Sequence, residues 1–171
     1  MRLPFILLAG GALILAGDNK RRAGVSPSRY RRMFAGVGRG LAADQAAAAA
    51  RSAFRQAASA AGFELTALPI EGTGPQGEAL AIDVAVKASG PIQRACVVSS
   101  GTHGVEGYFG SAVQLELLGS ELAAFEPAPG QAIALIHAVN PWGMAHKRRV
   151  DARGIDLNRN FRTTGEAYQG A

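Results

Sequence analysis

Two stretches of this chain combine residue types that could do chemistry. The first is Ser99-Ser-Gly-Thr-His-Gly-Val-Glu-Gly107, in which His103 and Glu106 are three positions apart among glycines at 101, 104 and 107. At a strand-to-helix turn that spacing can aim an imidazole nitrogen and a carboxylate at one point roughly 2.0–2.2 Å from each, as a zinc ion requires. It equally suits a turn in which His103 caps the backbone and Glu106 sits favourably at a helix N-terminus. The second stretch runs from His137-Ala-Val-Asn-Pro-Trp-Gly143 through His146-Lys-Arg-Arg149 to Gly154-Ile-Asp-Leu-Asn-Arg-Asn-Phe161. Asn158 and Arg159 set an amide beside a planar guanidinium, whose fork matches a carboxylate through two parallel hydrogen bonds. The alternative is a polar loop in which Arg159 pairs with Asp156.

The elements that must position these residues can be read from pattern. Asp44 to Ala61 is alanine-rich, with Phe54, Ala57, Ala58 and Ala61 on one face, Asp44 as N-cap and Gly62 as the stop. Phe63–Ile70 and Ala79–Val86 flank a turn-rich segment and form a hairpin. Ala95–Ser99 is a short apolar run, the mark of a strand buried on both faces. A helix follows to about Leu118, with Val113, Leu115, Leu117 and Leu118 as its apolar side. Pro127, Pro129 and Gly130 break the chain before a second buried strand, Ala132–Val139. This order predicts an α/β domain with a mixed, partly parallel sheet flanked by helices. Ligand sites in such sheets lie beyond the carboxyl ends of the parallel strands, where both clusters fall.

The two clusters in this order resemble the zinc carboxypeptidase family and its aspartoacylase and succinylglutamate desuccinylase relatives. The matching pieces are strand-Gly-Thr-His-Gly-Val-Glu, Asn140-Pro-Trp-Gly143 and Gly154–Phe161, and the likeness spans about residues 44 to 165. The details are closest to a poorly characterised bacterial branch, and an incomplete carboxypeptidase-like fold is implied. The resemblance implies zinc as cofactor, His103 and Glu106 as its ligands, and Asn158 and Arg159 as the site for a substrate's terminal carboxylate. It also implies an upstream arginine at the scissile carbonyl, Arg149 with Arg148 as the neighbouring choice. A cation belongs there because a tetrahedral intermediate develops negative charge. The expected partner is a small molecule or peptide with a free carboxylate.

The family takes its third ligand, a histidine, from a later strand, and its general-base glutamate later still. Ten residues follow Phe161, none of them histidine, and Glu166 and Tyr168 lack the family's context. His137 reads as a packing or supporting residue and His146 as a distant candidate ligand. The expectation is the N-terminal part of a hydrolase, inactive alone, with an unpaired sheet edge and exposed apolar surface. The alternative is a non-catalytic remnant that binds a carboxylate or a partner chain. The motif Gly-x-Ser-x-Gly of a serine hydrolase surrounds neither Ser99 nor Ser100.

Composition bounds the rest. The charge is +5, with ten of 18 basic residues before Gly62 and six between Lys147 and Arg162. No reading helix and no zinc-finger spacing is evident among them, which argues against nucleic acid. Cys96 is the single cysteine, so an intrachain disulfide and a thiolate cluster are excluded, and it reads as a small core residue. Three regions are expected: an apolar segment at 1–17, a basic linker or arm at 18–43, and the domain at 44–171. The apolar run Leu3–Ala16 resembles a signal or anchor and is the one place for membrane contact. As a helix it reaches roughly 21 Å, short of the ~30 Å hydrocarbon core. The basic residues after it oppose translocation, so a cytoplasmic location is favoured over an exported or anchored one.

Overall fold

The computed structural model describes residues 45–160. The apolar segment 1–17, the arm 18–43, the Asp44 cap, Phe161, Glu166 and Tyr168 lie outside these residues. Helix α1 (Ala46–Ala60) leads into strands β1 (Glu64–Thr73), β2 (Ala79–Ala88) and β3 (Arg94–Ser99). Helix α2 (Gly107–Gly119), strand β4 (Gln131–His137) and the short helix α3 (Pro141–Ala145) follow.

Alanines carry α1 because they lose no side-chain entropy in a helix, and its buried stripe is Ala50, Phe54 and Ala58. The helix ends as the sequence predicts. Gly62 takes φ +77°, and the N–H groups of Gly62 and Phe63 bond to Ser59 and Ala58 carbonyls, closing a Schellman turn. Phe63 then packs beside Ala58 and Phe54. Burying a phenylalanine such as Phe54, which is fully enclosed, contributes about 1.5–3 kcal/mol.

The sheet is mixed, with strand order β1-β2-β4-β3. β2 pairs antiparallel with β1 and with β4, while β3 and β4 run parallel and are joined through α2. The predicted α/β class with a partly parallel sheet and flanking helices is therefore what the chain forms. All three helices pack together, with Ala50 of α1, Tyr108 of α2 and Met144 of α3 in one cluster. The core between helices and sheet holds Phe54, Leu118, Ala85, Leu135, Val98 and Ile133.

β3 departs from expectation. Its apolar run suggested burial on both faces, yet β3 is an edge strand and Val97 is 49% exposed. Only its helix-facing side meets the core, through Val98 and the half-buried Cys96. Helix α2 also differs. Gly110, Ser111, Ala112 and Gln114 are buried alongside Leu118, so small and polar residues face the sheet in place of the expected leucine side. Gln114 explains why: its amide donates to the carbonyls of Val98 and Ile136 and accepts from the Ser100 hydroxyl. It thereby clamps the carboxyl ends of β3 and β4 together.

Candidate functional site

The clamped strand ends carry the two sequence clusters. Beyond β3 and β4 the pairing continues, with the Val139 and Asn140 N–H groups bonded to the Ser100 and Gly101 carbonyls. Asn140 then caps α3 through its side-chain oxygen and the Gly143 N–H, 2.8 Å apart. Gly104 lies so close to this turn that a Cβ there would stand 1.9 Å from the Gly143 carbonyl carbon. Glycine at 104 is thus what lets the two loops meet backbone to backbone.

The meeting of the loops forms a cleft of about 210 Å³ lined by His103, Glu106, Arg149, Asn158 and Arg159 together with Ser99 and Thr102. All five site residues read from the sequence share it. Arg149, not its neighbour Arg148, is the arginine that lines it.

Within the cleft His103 is nearly enclosed and is held from both sides. Its Nε2 is 2.9 Å from Asp156 Oδ1, and its Nδ1 is 3.4 Å from Glu106 Oε2. Asp156 also accepts from Arg149 Nε at 3.0 Å and from the Asn158 N–H at 3.0 Å. Partial desolvation pushes the Asp156 pKa up, but the hydrogen bonds from His103, Arg149 and Asn158 outweigh it and hold the carboxyl down at about 2. An ionised carboxylate can only accept, so the proton between His103 Nε2 and Asp156 belongs to the imidazole, and Nδ1 faces the Glu106 carboxylate. Two basic groups converging in this way call for a cation between them, a proton or a metal.

The spacing suits a metal. Two ligands on a tetrahedral zinc with bonds of 2.0–2.2 Å lie roughly 3.3–3.6 Å apart, and the observed 3.4 Å falls in that interval. A carboxylate on the far nitrogen of a ligating histidine fixes its tautomer and raises its basicity, which is the position Asp156 holds. The fit extends to two donors. Among the described residues no three His, Cys, Asp or Glu side chains converge on one point. Of the other histidines, His146 Nε2 meets the Thr73 carbonyl at 3.0 Å with its ring stacked on Trp142. His137 is buried against Phe54 with Nε2 3.0 Å from Ser111 Oγ, in the packing role its strand position suggested.

Asn158 and Arg159 complete the lining of the cleft. Arg159 Nη1 donates to the Asn158 carbonyl at 3.1 Å, and no carboxylate among the described residues pairs with it. The expected alternative, an Arg159–Asp156 bridge, is replaced by Arg149–Asp156. Arg149 also approaches Glu106 at 3.6 Å. Both side chains of that pair are half-exposed, so it contributes only about 0–1 kcal/mol and leaves Arg149 free to turn.

Asp156 is the residue the sequence reading missed as a site member. Its signal was its place two positions before Asn158, together with the need of a ligating histidine for an acceptor on its second nitrogen.

A family model decides the relationship. Residues 45–169 match the family described as Protein of unknown function (DUF2817). The chain belongs to that family. No curated protein matches it. The DUF2817 match covers both loops of the cleft and the elements beneath them. Among the described residues of this DUF2817 chain, no helix is long and apolar enough to cross a membrane.

Proposed function

We propose that this DUF2817 domain provides part of the active site of a zinc-dependent, carboxypeptidase-like amidohydrolase that cleaves a peptide or acyl-amide bond next to a free carboxylate. The observation that carries the reading is the 3.4 Å approach of His103 Nδ1 to Glu106 Oε2, with His103 braced from behind by Asp156. Zinc held by His103 and Glu106 would supply Lewis acidity to a water and to the scissile carbonyl.

The chain's own residues divide the remaining work. Asn158 and Arg159 take the substrate carboxylate, for which a guanidinium with no carboxylate partner among the described residues is the natural seat. Arg149 lines the same cleft beside Glu106 and Asp156, where it can stabilise an oxyanion. Asp156 holds the proton on His103 Nε2 and so keeps Nδ1 free as a donor. The sequence resemblance to zinc carboxypeptidases implies the roles of Asn158, Arg159 and Arg149 and is silent on Asp156. A third donor and a general base have no counterpart among the described residues, so the 171-residue chain alone is expected to bind zinc weakly and to turn over nothing.

Zinc titration by calorimetry tests this. Affinity should fall at least about tenfold in His103→Ala and in Glu106→Ala, within the range seen when zinc sites are perturbed. Unaltered affinity in both variants defeats the ligand assignment.

The lack of a third converging donor among the described residues favours a second reading, a non-catalytic domain that binds carboxylates through Asn158 and Arg159. It predicts that a small dicarboxylate binds without zinc and that excess zinc elicits no hydrolysis. Chelator-sensitive turnover by the 171-residue chain would overturn it.

A further inference from the structure

The two faces of the sheet are covered unequally. Toward the helices, Ala85 and Leu135 are fully buried, and Val98 and Ile133 are 6% and 8% exposed. Strand register puts Leu68, Ile82, Val84, Val86, Ile136 and Val97 on the opposite face. None of these six is buried, and Leu68 and Val97 are each 49% exposed. The three helices share the other side, so among the described residues no helix covers this apolar face. A contiguous apolar surface of this kind marks a contact site.

The geometry points to an occupant within the same chain, the apolar segment Leu3–Ala16, laid over the helix-free face of the sheet. Three observations support it. First, the segment is 14 residues without a charge, including Phe5, Ile6, Leu7 and Leu8. Four strands at about 4.8 Å and six paired residues at about 3.3 Å give a face roughly 15–20 Å on each side. The roughly 21 Å that 14 residues span as a helix is enough to cross it.

Second, the connecting stretch has the right length. Residues 17–44 are 28 in number, and a flexible chain of that length has a root-mean-square reach of roughly 26–32 Å. Passing from the helix layer around a sheet edge to the other face requires about two layer spacings of ~10 Å plus a lateral step. Effective concentration is greatest when reach and span agree, and it reaches the millimolar range.

Third, charge selects the route. The connecting stretch carries Lys20, Arg21, Arg22, Arg29, Arg31, Arg32 and Arg39. The β1 edge presents exposed Glu64 and Glu71, neither in an ion pair among the described residues, whereas the β3 edge presents Arg94. The basic arm is therefore attracted past β1 and repelled from β3.

The test uses the full chain in a Cys96→Ser background at low micromolar concentration. Leu8→Cys is combined with Val84→Cys on the helix-free face, or with Ala48→Cys on exposed α1. The expected result is an intramolecular disulfide at least about tenfold more abundant with Val84→Cys, since docking holds position 8 against that face and away from α1, although the tether to α1 is the shorter. Equal yields, or disulfides that join two chains, overturn the proposal, the latter in favour of a second copy on the face. In the otherwise native chain, Leu7→Asp with Leu8→Asp should raise binding of an apolar fluorescent dye several-fold and lower Tm. No change in either quantity counts against the proposal, as does flotation of the native chain with anionic phospholipid vesicles.

Discussion

His103 and His137 both stand at the carboxyl end of the parallel strand pair, one in the loop after β3 and the other as the last residue of β4. Each is nearly enclosed and each is hydrogen-bonded through Nε2. They differ in what the second nitrogen faces. His103 Nδ1 looks into the cleft at the Glu106 carboxylate, and an ionised Asp156 stands behind it. His137 Nδ1 has no hydrogen-bond partner among the described residues, and its ring lies on Phe54 with a centroid distance of 4.7 Å. Burial holds the His137 pKa down at about 4, despite an upward pull from the nearby Asp83 charge. Asp83, fully buried on β2, spends its own hydrogen bonds on Arg51 and Arg55. Strand-end position alone therefore does not make a histidine a metal ligand. The ligand role proposed for His103 rests on a nitrogen that faces a second donor in an open cleft.

The comparison can be broken or sharpened by experiment. The largest effect is expected where the His103 loop meets the Asn140 turn. Gly104→Ala puts a methyl 1.9 Å from backbone, and overpacking against atoms that cannot rotate away should cost about 3 kcal/mol or more. Urea unfolding would measure it, and a loss under about 1 kcal/mol would show that the two loops are not locked together.

His137 should give the next largest effect through acid. Its folded pKa of about 4 lies below the ordinary 6.5, so between these values the unfolded chain binds a proton that the folded chain does not. Stability is then full above pH 6.5 and declines as pH falls toward 4, by on the order of 3 kcal/mol. Unfolding midpoints for the native chain and for His137→Gln, taken from pH 7 to 4, should diverge at high pH and converge at low pH. Parallel curves would contradict the buried, neutral assignment.

At His103 the contrast should reverse, with little change in stability and a large change in metal affinity. Asp156→Asn should leave the fold intact yet weaken zinc or cobalt binding by about 10–100-fold, the usual cost of losing the group that braces a ligating histidine. Equal affinity would reduce Asp156 to a loop anchor. The smallest effect belongs to Arg149→Ala. Its half-exposed pairs with Glu106 and Asp156 should be worth about 0–1 kcal/mol in thermal unfolding and fade with salt.

Much of this could be read in advance because it is local. The α1 alanines, Gly62 at its end and the hairpin itself all follow from propensity and short-range turn chemistry. The motif order also sufficed to select five residues that share a cleft. What escaped was set by neighbours distant in sequence. An apolar run such as Ala95–Ser99 reads the same in a central strand and at an edge, and only the strand order leaves Val97 exposed. Ser111 and Gln114 look like solvent residues on α2 until the carbonyls of Val98 and Ile136 are brought beneath them.

The chain's own order of residues was enough to determine an α/β domain with its chemistry in the loops after two parallel strands, since hydrophobic period and glycine placement act over a few residues. Tertiary structure alone decided which arginine enters the cleft, which carboxylate braces His103 and which histidine is sealed in the core. Those outcomes depend on distances between groups 7 to 53 positions apart, and spacing along the sequence does not encode them. A hydrogen bond or a metal edge is a matter of a few tenths of an ångström, which folding sets only when the layers close.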